Sequence, residues 1–347
     1  MSEEKKMLKE VMTAPGKIAF VEVPVPEPGE NQVLVRMEKI GICGSDIHVY
    51  HGEHPYTSYP VTQGHEVSGV VEKVGAGVSA FHPGQKVTIE PQVVCGKCHP
   101  CRTGHYNNCE TLAVMGFQCE GAAAQYFAVD QSKVDPLPDD FSLDDAAMIE
   151  PLAVAVHAVQ VFGDVTGKDV CVIGAGPIGI LVAQVAKGLG ARKVMATDVS
   201  DYRLALARTC GVDVTYNTRQ RDFGEALVEA FGEDKADVIF DCAGNNTTIG
   251  QAILHARKCS VIVLVAVFVG MATVDLAMLN DHELDLKTSM MYRHEHYLEA
   301  IRLIAEGKVQ LKPLQTKHFP FQEYLAAYRY IDENRETTMK VIIDVQA

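Results

Sequence analysis

Residues 170–190, VCVIGAGPIGILVAQVAKGLG, decide the fold of this chain. A short apolar run ends at Gly174, and from Ile178 onward large apolar residues recur at helical spacing. The glycines at the junction, Gly174, Gly176 and Gly179, have the spacing G-x-G-x-x-G. A strand, a tight glycine turn and a helix in this order predict the first βα unit of a parallel sheet.

The same alternation continues along the chain. KVMATD predicts a second strand, SDYRLALARTCG a second helix between Ser200 and Gly211, and ADVIFDCAG and SVIVLVAVFVG further strands. Alternating strands and helices favour a doubly wound parallel α/β sheet, which we place at residues 153–291.

The glycine turn predicts a dinucleotide site. Its glycines allow a tight turn, close approach of a pyrophosphate and close packing of helix on strand, while the helix N-terminus offers free N–H groups. Asp198, nineteen residues after Gly179, is placed to accept a hydrogen bond from a ribose 2′-hydroxyl and to repel a 2′-phosphate. NAD is therefore expected over NADP, although Arg203 could pair with a phosphate and weaken that preference. The residues expected to contact NAD are Gly174, Gly176, Pro177, Ile178, Gly179, Asp198 and Arg203.

The two ends of the chain have a different texture. Up to about Pro151, short apolar runs such as NQVLVRM and QKVTIEP alternate with glycine and proline, which is typical of a β-rich, barrel-like domain. After about Met290 the texture is mixed again and ends in the strand-like KVIIDV. We therefore expect residues 1–152 and 292–347 to form one domain, with the nucleotide-binding domain inserted between them.

Composition excludes several classes of partner. The 347 residues carry a formal net charge of −14, which argues against nucleic acid and against an anionic membrane surface as partners. The N-terminal MSEEKKMLKE lacks the apolar run of a signal peptide, and residues 261–270 are too short an apolar run to span a bilayer. We expect a cytoplasmic protein whose ten cysteines stay reduced, as metal ligands or core residues.

Four cysteines predict a structural metal site. CGKCHPCRTGHYNNC, in a segment at about residues 92–112, supplies Cys95, Cys98, Cys101 and Cys109. Four thiolates on a compact loop can close tetrahedrally around Zn²⁺ with no open position. An iron–sulfur cluster is the main alternative; four chance core cysteines do not suit so polar a stretch.

A second set of metal-binding side chains is dispersed along the chain. GICGSDIH presents Cys43, Ser45, Asp46 and His48, GHE presents His65 and Glu66, and IEPLA presents Glu150. One thiolate, one imidazole and one carboxylate would hold a catalytic zinc and leave a position open. Each residue alone has a plainer explanation, as a core thiol, a hydrogen-bonded histidine or an acid at the start of a helix.

His65 and Glu66 pose a geometric problem, because neighbours on a strand point to opposite faces. Either Gly64 relaxes the backbone so that both reach the metal, or Glu150 supplies the third bond and Glu66 orients the ligands from behind.

The chain resembles the zinc-dependent medium-chain dehydrogenase/reductase superfamily over nearly its whole length. The motifs that carry this resemblance are, in order, G-I-C-G-S-D, G-H-E, the four-cysteine segment, E-P-L-A and the glycine fingerprint. Within it, HGEHPYTSYPVTQGHE and VMGFQCEG are similar to the sorbitol (polyol) dehydrogenase branch, including bacterial hexonate 5-dehydrogenase-type enzymes. The resemblance implies a GroES-like catalytic domain built from both chain ends, a Rossmann domain between them, NAD, two zinc ions per chain, and a homodimer or homotetramer with Rossmann sheets joined edge to edge.

The resemblance also implies roles for single residues. Cys43 and His65 would bind the catalytic zinc, and of Glu66 and Glu150 one would bind directly and the other through water. Ser45 would receive the substrate proton, His48 would pass it to solvent, and Tyr50 would shape the substrate pocket.

One segment departs from the polyol dehydrogenase pattern. Those enzymes often carry an F-R-Y-x-N-like segment, whereas residues 288–300 here read TSMMYRHEHYLEA, and Arg293 does not align without a shift of register. The sequence of residues 290–297 therefore does not identify the substrate.

The sequence thus predicts an enzyme that interconverts a secondary alcohol of a polyol such as sorbitol or xylitol and the corresponding ketose. The alternatives on the same scaffold are a sugar acid such as gulonate or galactonate, threonine, inositol and 2,3-butanediol. A non-catalytic NAD(H)-binding protein and a zinc-free quinone reductase are alternatives of other kinds; the retained metal-binding residues speak against both.

Overall fold

A computed structural model describes residues 5–268 and 270–347. The strands are β1 (Lys6–Ala14), β2 (Lys17–Pro24), β3 (Gln32–Ile42), β4 (Glu66–Val74), β5 (Lys86–Ile89), β6 (Gln92–Val93), β7 (Ala113–Val114), β8 (Tyr126–Asp130), β9 (Val134–Pro136), β10 (Asp169–Ile173), β11 (Lys193–Asp198), β12 (Val214–Asn217), β13 (Val238–Asp241), β14 (Val261–Leu264), β15 (Asp285–Thr288), β16 (Gln315–Pro320) and β17 (Lys340–Asp344). The helices are α1 (Gly44–His51), α2 (His99–Arg102), α3 (Leu143–Ala146), α4 (Ile149–Phe162), α5 (Pro177–Gly188), α6 (Asp201–Thr209), α7 (Phe223–Phe231), α8 (Asn246–His255), α9 (Leu276–Asp281), α10 (His294–Ala305) and α11 (Tyr324–Glu333).

The chain divides into two compact units, Met1–Glu150 with Gln315–Ala347, and Pro151–Leu314. The return to the first unit lies at Gln315, later than the residue 292 expected from texture. The reason is that α10 and the segment after it stay with the second unit. The Gln184 side chain accepts a hydrogen bond from the backbone N–H of Gln310 (2.6 Å) and donates one to its carbonyl (3.2 Å).

The second unit contains the predicted doubly wound sheet. Its six strands are all parallel, in the order β12-β11-β10-β13-β14-β15. The order reverses between β10 and β13, where Ile173 pairs with Asp241. Ligands bind beyond the carboxyl ends of the strands at such a reversal. Gly174, the first residue after β10, lies at this point.

The first unit is the predicted β-rich domain. Its main sheet has the order β16-β17-β3-β4-β5-β9, with β8 also paired to β3. The last strand, β17, pairs antiparallel with β3, so that Ile342 lies opposite Gly41. β4 pairs with the other edge of β3 and places Glu66 opposite the same glycine. The two chain ends therefore meet on β3, immediately before Cys43. Among the described residues, no helix is long and apolar enough to cross a membrane.

Two buried histidines face each other in the second unit. His157 on α4 and His296 on α10 have Nδ1 and Nε2 3.4 Å apart. The backbone N–H of Arg293 donates to Nδ1 of His296 (2.8 Å), which leaves the Nε2–H of His296 to face His157. Burial, helped by the Arg293 charge, lowers the pKa of each imidazole to about 4.

We expect this pair to make the unit sensitive to acid. Unfolding raises the pKa of both imidazoles to about 6.5, so the unfolded chain binds more protons and stability is lost as the pH falls from about 6.5 towards 4. At pH 5 the loss amounts to about 2 kcal/mol per imidazole. Urea unfolding of the wild type should weaken between pH 7 and pH 5, and His157→Gln should reduce that difference. His82→Gln, at an exposed position, is the control; an equal pH dependence in His157→Gln would contradict the assignment.

Candidate functional site

The four predicted cysteines of the first unit form one cluster. The Sγ atoms of Cys95, Cys98, Cys101 and Cys109 all lie within 4.8 Å of one another. Three of the Sγ–Sγ distances are 3.3, 3.9 and 4.0 Å. A tetrahedral ion at about 2.3 Å from each sulfur would hold the sulfurs about 3.8 Å apart. The cluster therefore fits a zinc ion without rearrangement of the loop.

The backbone of this loop favours the thiolate form that a metal requires. The N–H of Cys98 donates to Sγ of Cys95 (3.4 Å), and the N–H of Cys95 donates to Sγ of Cys109 (3.3 Å). Backbone hydrogen bonds from Lys97 and Cys98 lower the pKa of the Cys95 thiol to about 6. Because metal binding displaces the thiol proton, a lowered pKa strengthens binding at neutral pH.

The structure also brings together three residues of the dispersed set. One ligand atom each from Cys43, His65 and Glu66 lies within 4.8 Å of the other two. Cys43 precedes α1, His65 precedes β4, and Glu66 is the first residue of β4. Sulfur, nitrogen and oxygen donors at this separation suit zinc.

Gly64 explains how adjacent residues reach one place. Its φ is +93°, in the left-handed region that favours glycine, and a Cβ there would lie 2.9 Å from the backbone nitrogen of Ala123. His65 lies between this glycine and the regular strand, which begins at Glu66. The strict alternation of faces does not apply to the pair.

Glu66 makes a buried ion pair that sequence reasoning missed. The Nζ of Lys340, on β17, donates to Oε1 (2.7 Å) and Oε2 (2.5 Å) of Glu66 and to the carbonyl of Ile42 (3.3 Å). Burial alone would lower the pKa of Lys340, but the Glu66 carboxylate outweighs it and the pKa is raised. The available signal was a lysine at the start of the apolar run KVIID, because a lysine in a buried strand needs a partner.

Glu150 lies outside the group formed by Cys43, His65 and Glu66. It is buried in the first turn of α4, and its charge acts on Lys340. The lysine is thus under the influence of both candidate carboxylates.

A carboxylate behind His65 orients the imidazole. Nδ1 of His65 lies 3.4 Å from Oδ1 of Asp46, whose Oδ2 accepts the backbone N–H of Cys43 (2.8 Å). Asp46 is buried, and together with Cys43 it holds the pKa of His65 well above the usual value although burial opposes this. With Nδ1 facing Asp46, Nε2 is the nitrogen available to a metal.

The remaining candidates of the first unit lie on α1. Ser45 and His48 are three residues apart and therefore share a face. Ser45 is half-buried, whereas His48 is exposed with Nδ1 3.2 Å from Oε2 of Glu53. The ring of Tyr50 stacks on Tyr328, with centroids 4.8 Å apart.

The glycine fingerprint has the geometry that a dinucleotide needs. Gly174 has φ +94°, and a Cβ on Gly179 would lie 1.8 Å from the carbonyl oxygen of Gly174. Gly176 precedes α5, which begins at Pro177 and continues through Ile178. The turn leaves the N-terminus of α5 open to an anion.

Asp198 is tied to that turn. Its Oδ2 accepts the N–H of Ala175 (2.8 Å), and its Oδ1 accepts those of Val199 (2.8 Å) and Ser200 (2.9 Å). A carboxylate has about four acceptor sites, so the group retains capacity for a ribose hydroxyl. Arg203 is half-buried in the first turn of α6.

Arg293, which the sequence left without a role, precedes α10 and pairs with Glu295 (Nε–Oε1 2.7 Å). Its neighbours Tyr292 and Tyr297 are fully buried. The segment is thus held by packing within the second unit.

Comparison with known proteins identifies both parts of the chain. Residues 29–139 match the alcohol dehydrogenase GroES-like domain family, and residues 177–306 match the zinc-binding dehydrogenase family. The chain is 34% identical to D-arabitol-phosphate dehydrogenase of Enterococcus avium, over 95% of each chain. It is 35% identical to sorbitol dehydrogenase of Homo sapiens, over 92% of this chain and 90% of the relative.

Two solved structures are similar over the full length. One is a short chain alcohol dehydrogenase of E. coli CFT073 complexed with NADH (TM-score 0.91, 30% identity, 98% of this chain and 99% of that one). The other is a zinc-binding dehydrogenase of Sinorhizobium meliloti 1021 bound to NADP (TM-score 0.90, 28% identity, 99% and 100%). The chain is an oxidoreductase that uses zinc and a nicotinamide cofactor, and it belongs to the zinc-dependent medium-chain dehydrogenase/reductase superfamily, in its polyol dehydrogenase-like branch.

Proposed function

We propose that this enzyme oxidises a secondary alcohol of a polyol such as sorbitol or xylitol to the ketose, with NAD as hydride acceptor. The observation that carries the proposal is the donor set Cys43, His65 and Glu66, in which a carboxylate accompanies a single thiol. Such a set is harder than a two-thiolate site and suits an oxygen-rich, chelating substrate. The named relatives include a sorbitol dehydrogenase and an arabitol-phosphate dehydrogenase, which supports the same class of substrate.

We assign the catalytic zinc to Cys43, His65 and one carboxylate. Bound there, zinc would act as a Lewis acid that lowers the pKa of the substrate hydroxyl. Glu66 is within reach of the other two ligands, but both of its oxygens are hydrogen-bonded to Lys340. Direct binding of the metal by Glu66 requires that Glu66 share its oxygens between the metal and Lys340, or release Lys340. If Glu66 does neither, Glu150 is the third protein ligand.

We assign proton removal to α1. Ser45 accepts the proton of the substrate hydroxyl while its own hydroxyl proton is relayed towards His48, which lies on the same face of the helix and releases a proton to solvent. The half-buried position of Ser45 and the exposed position of His48 support this direction of transfer. Tyr50 shapes the substrate pocket from a fixed position, because its ring is stacked against Tyr328.

We propose that NAD is preferred over NADP, with the glycine turn of residues 174–179 holding the pyrophosphate. Asp198 supports the preference because a 2′-phosphate would meet its carboxylate. Since a relative binds NADP, the preference depends on local residues such as Asp198 and Arg203.

We also propose a cytoplasmic homodimer or homotetramer. A reducing compartment would keep the four-cysteine cluster available to zinc. β15 is an edge strand of the parallel sheet, and the nearby chain exposes Val267 (85%), Met271 (99%) and Leu276 (69%). Apolar side chains beside an open sheet edge favour pairing with a second copy.

A substrate panel tests the reaction. Sorbitol, xylitol, gulonate, galactonate, threonine, inositol and 2,3-butanediol would each be assayed with NAD by absorbance of NADH. The largest kcat/KM is expected for a polyol. A larger value for an acid or for threonine would replace the substrate assignment, and no turnover of any alcohol by zinc-loaded protein would favour a non-catalytic NAD(H)-binding protein.

Cys43→Ser should separate the two zinc sites. We expect zinc to fall from two ions per chain to one and kcat to fall about 1,000-fold or more, because metal polarisation is worth several kcal/mol. NADH binding, followed by fluorescence, should remain. Cys98→Ser is the matched variant: it should lose the other zinc and lower the melting temperature by about 5 °C or more, since a structural site contributes to folding. Normal activity in Cys43→Ser would overturn the zinc assignment.

Asp198→Asn tests the cofactor preference. Removing the negative charge should reduce the ratio of kcat/KM for NAD to that for NADP about tenfold, equivalent to about 1.4 kcal/mol. Affinity for NAD should also weaken, because an amide cannot keep all three backbone hydrogen bonds. A ratio that does not change would show that Asp198 only supports the glycine turn.

A further inference from the structure

Three polar side chains lie buried beside Asp46, the carboxylate that faces His65. They are Glu10 on β1, Gln63 before β4 and Tyr328 on α11, and each is 0% exposed. On β1, Glu10 takes an inward-facing position two residues before Met12, a member of the apolar core of this unit. Burying a polar side chain at such a position lowers stability unless hydrogen bonds offset the loss of hydration.

Gln63 is held at four points. Its Nε2 donates to Oδ1 of Asp46 (3.1 Å), and its Oε1 accepts from the hydroxyl of Tyr328. Its backbone N–H donates to Oε2 of Glu10 (3.3 Å), and its carbonyl accepts the N–H of Ala123 (2.8 Å). Both the side chain and the backbone of Gln63 are therefore fixed.

The hydrogen bonds have a defined direction. A tyrosine hydroxyl that donates to Oε1 forces the NH₂ group of Gln63 towards Asp46. Oδ1 of Asp46, which accepts from that NH₂ group, lies 3.4 Å from Nδ1 of His65, a close polar contact without hydrogen-bond geometry. The orientation of the His65 ring is thus linked through Asp46 and Gln63 to Tyr328.

Glu10 completes the network formed with Asp46, Gln63 and Tyr328 and adds no charge to it. Burial raises its pKa to about 8, the Gln63 N–H opposes this, and the Asp46 charge adds to it. Tyr324 and Tyr328 of α11 also lie within electrostatic range of Glu10, and the charge of Lys9, on the same strand, lowers the pKa of Glu10 only slightly. At neutral pH Glu10 is therefore mainly a neutral acid.

We propose that Gln63, clamped by Tyr328 and Glu10, is a positioning residue that holds Asp46 and the imidazole of His65 in the geometry that retains the catalytic metal. The proposal rests on the assignment of His65 as a zinc ligand. Groups behind a metal ligand typically contribute 10–100-fold to metal affinity. A network that served only the fold would not contribute to metal affinity. Its buried polar groups could then be replaced by apolar residues of similar volume with no effect on zinc retention.

The test measures retention of zinc rather than activity. Zinc-loaded protein is transferred to excess chelator, and release of each of the two ions is followed with a colorimetric zinc indicator, the four-cysteine zinc serving as internal reference. Gln63→Leu should release the catalytic zinc about tenfold faster or more, and Tyr328→Phe, which removes one oxygen, severalfold faster. The four-cysteine zinc should leave at the wild-type rate in both.

Two further variants separate positioning from folding. Thr88→Val is the matched control, because Thr88 is also 0% exposed and donates to the carbonyl of Val67 (2.8 Å) outside this network. It should release zinc as the wild type does. The triple variant Glu10→Leu, Gln63→Leu, Tyr328→Phe replaces the three partners together and should still melt in one cooperative transition, yet release the catalytic zinc faster; wild-type release from it would contradict the positioning role.

The outcomes are distinct. Wild-type release rates in Gln63→Leu and Tyr328→Phe, with two zinc ions bound, would overturn the positioning role and leave the proposed function standing. A wild type that binds only the four-cysteine zinc would overturn the proposed function and this proposal with it. If Gln63→Leu does not fold, Tyr328→Phe against Thr88→Val decides.

Discussion

The buried ion pair between Glu66 and Lys340 joins the parts of the chain on which the metal site depends. The two residues are 274 positions apart, on β4 and β17, and both strands flank β3. Lys340 also donates to the carbonyl of Ile42, the last residue of β3. Leaving one member of such a pair buried alone typically costs 3–5 kcal/mol, about as much as a large core truncation. The C-terminal strand therefore closes the sheet and also neutralises a carboxylate at the candidate site.

Gly41 shows why this arrangement is specific. A Cβ on that residue would lie 2.4 Å from Oε2 of Glu66, so a larger residue would displace the carboxylate from its place beside Lys340. At Gly64, a Cβ would likewise lie too close to a neighbouring backbone, 2.9 Å from the nitrogen of Ala123. Each of these glycines lies two residues or less from a candidate ligand or its partner, so the steric requirement and the chemistry are linked.

The sequence predicted what depends on local pattern. The glycine turn at Gly174, the helix after it and the four cysteines each lie within a short segment, and spacing alone indicated their geometry. The return to the β-rich unit was placed too early because an amphipathic helix shows that it is buried on one face but not against which sheet. Lys340, Gln63 and Glu10 were missed because their partners are far away in sequence and each alone looks like an ordinary polar residue.

The charges around Cys43 and His65 bear on the proposed ligand set, in which a carboxylate takes the place of a second thiolate. Lys340 balances Glu66, and Glu10 stays mainly neutral because burial raises its pKa to about 8. In a zinc-loaded site, Cys43 would add a thiolate ligand, and Asp46 would act on the ion through His65, whose Nδ1 lies 3.4 Å from its Oδ1. Two such charges match a divalent ion without reducing its pull on a substrate oxygen as strongly as a second thiolate would. In the proposed site, the buried lysine and the neutral acid would thus act in the same direction, towards a more electrophilic metal.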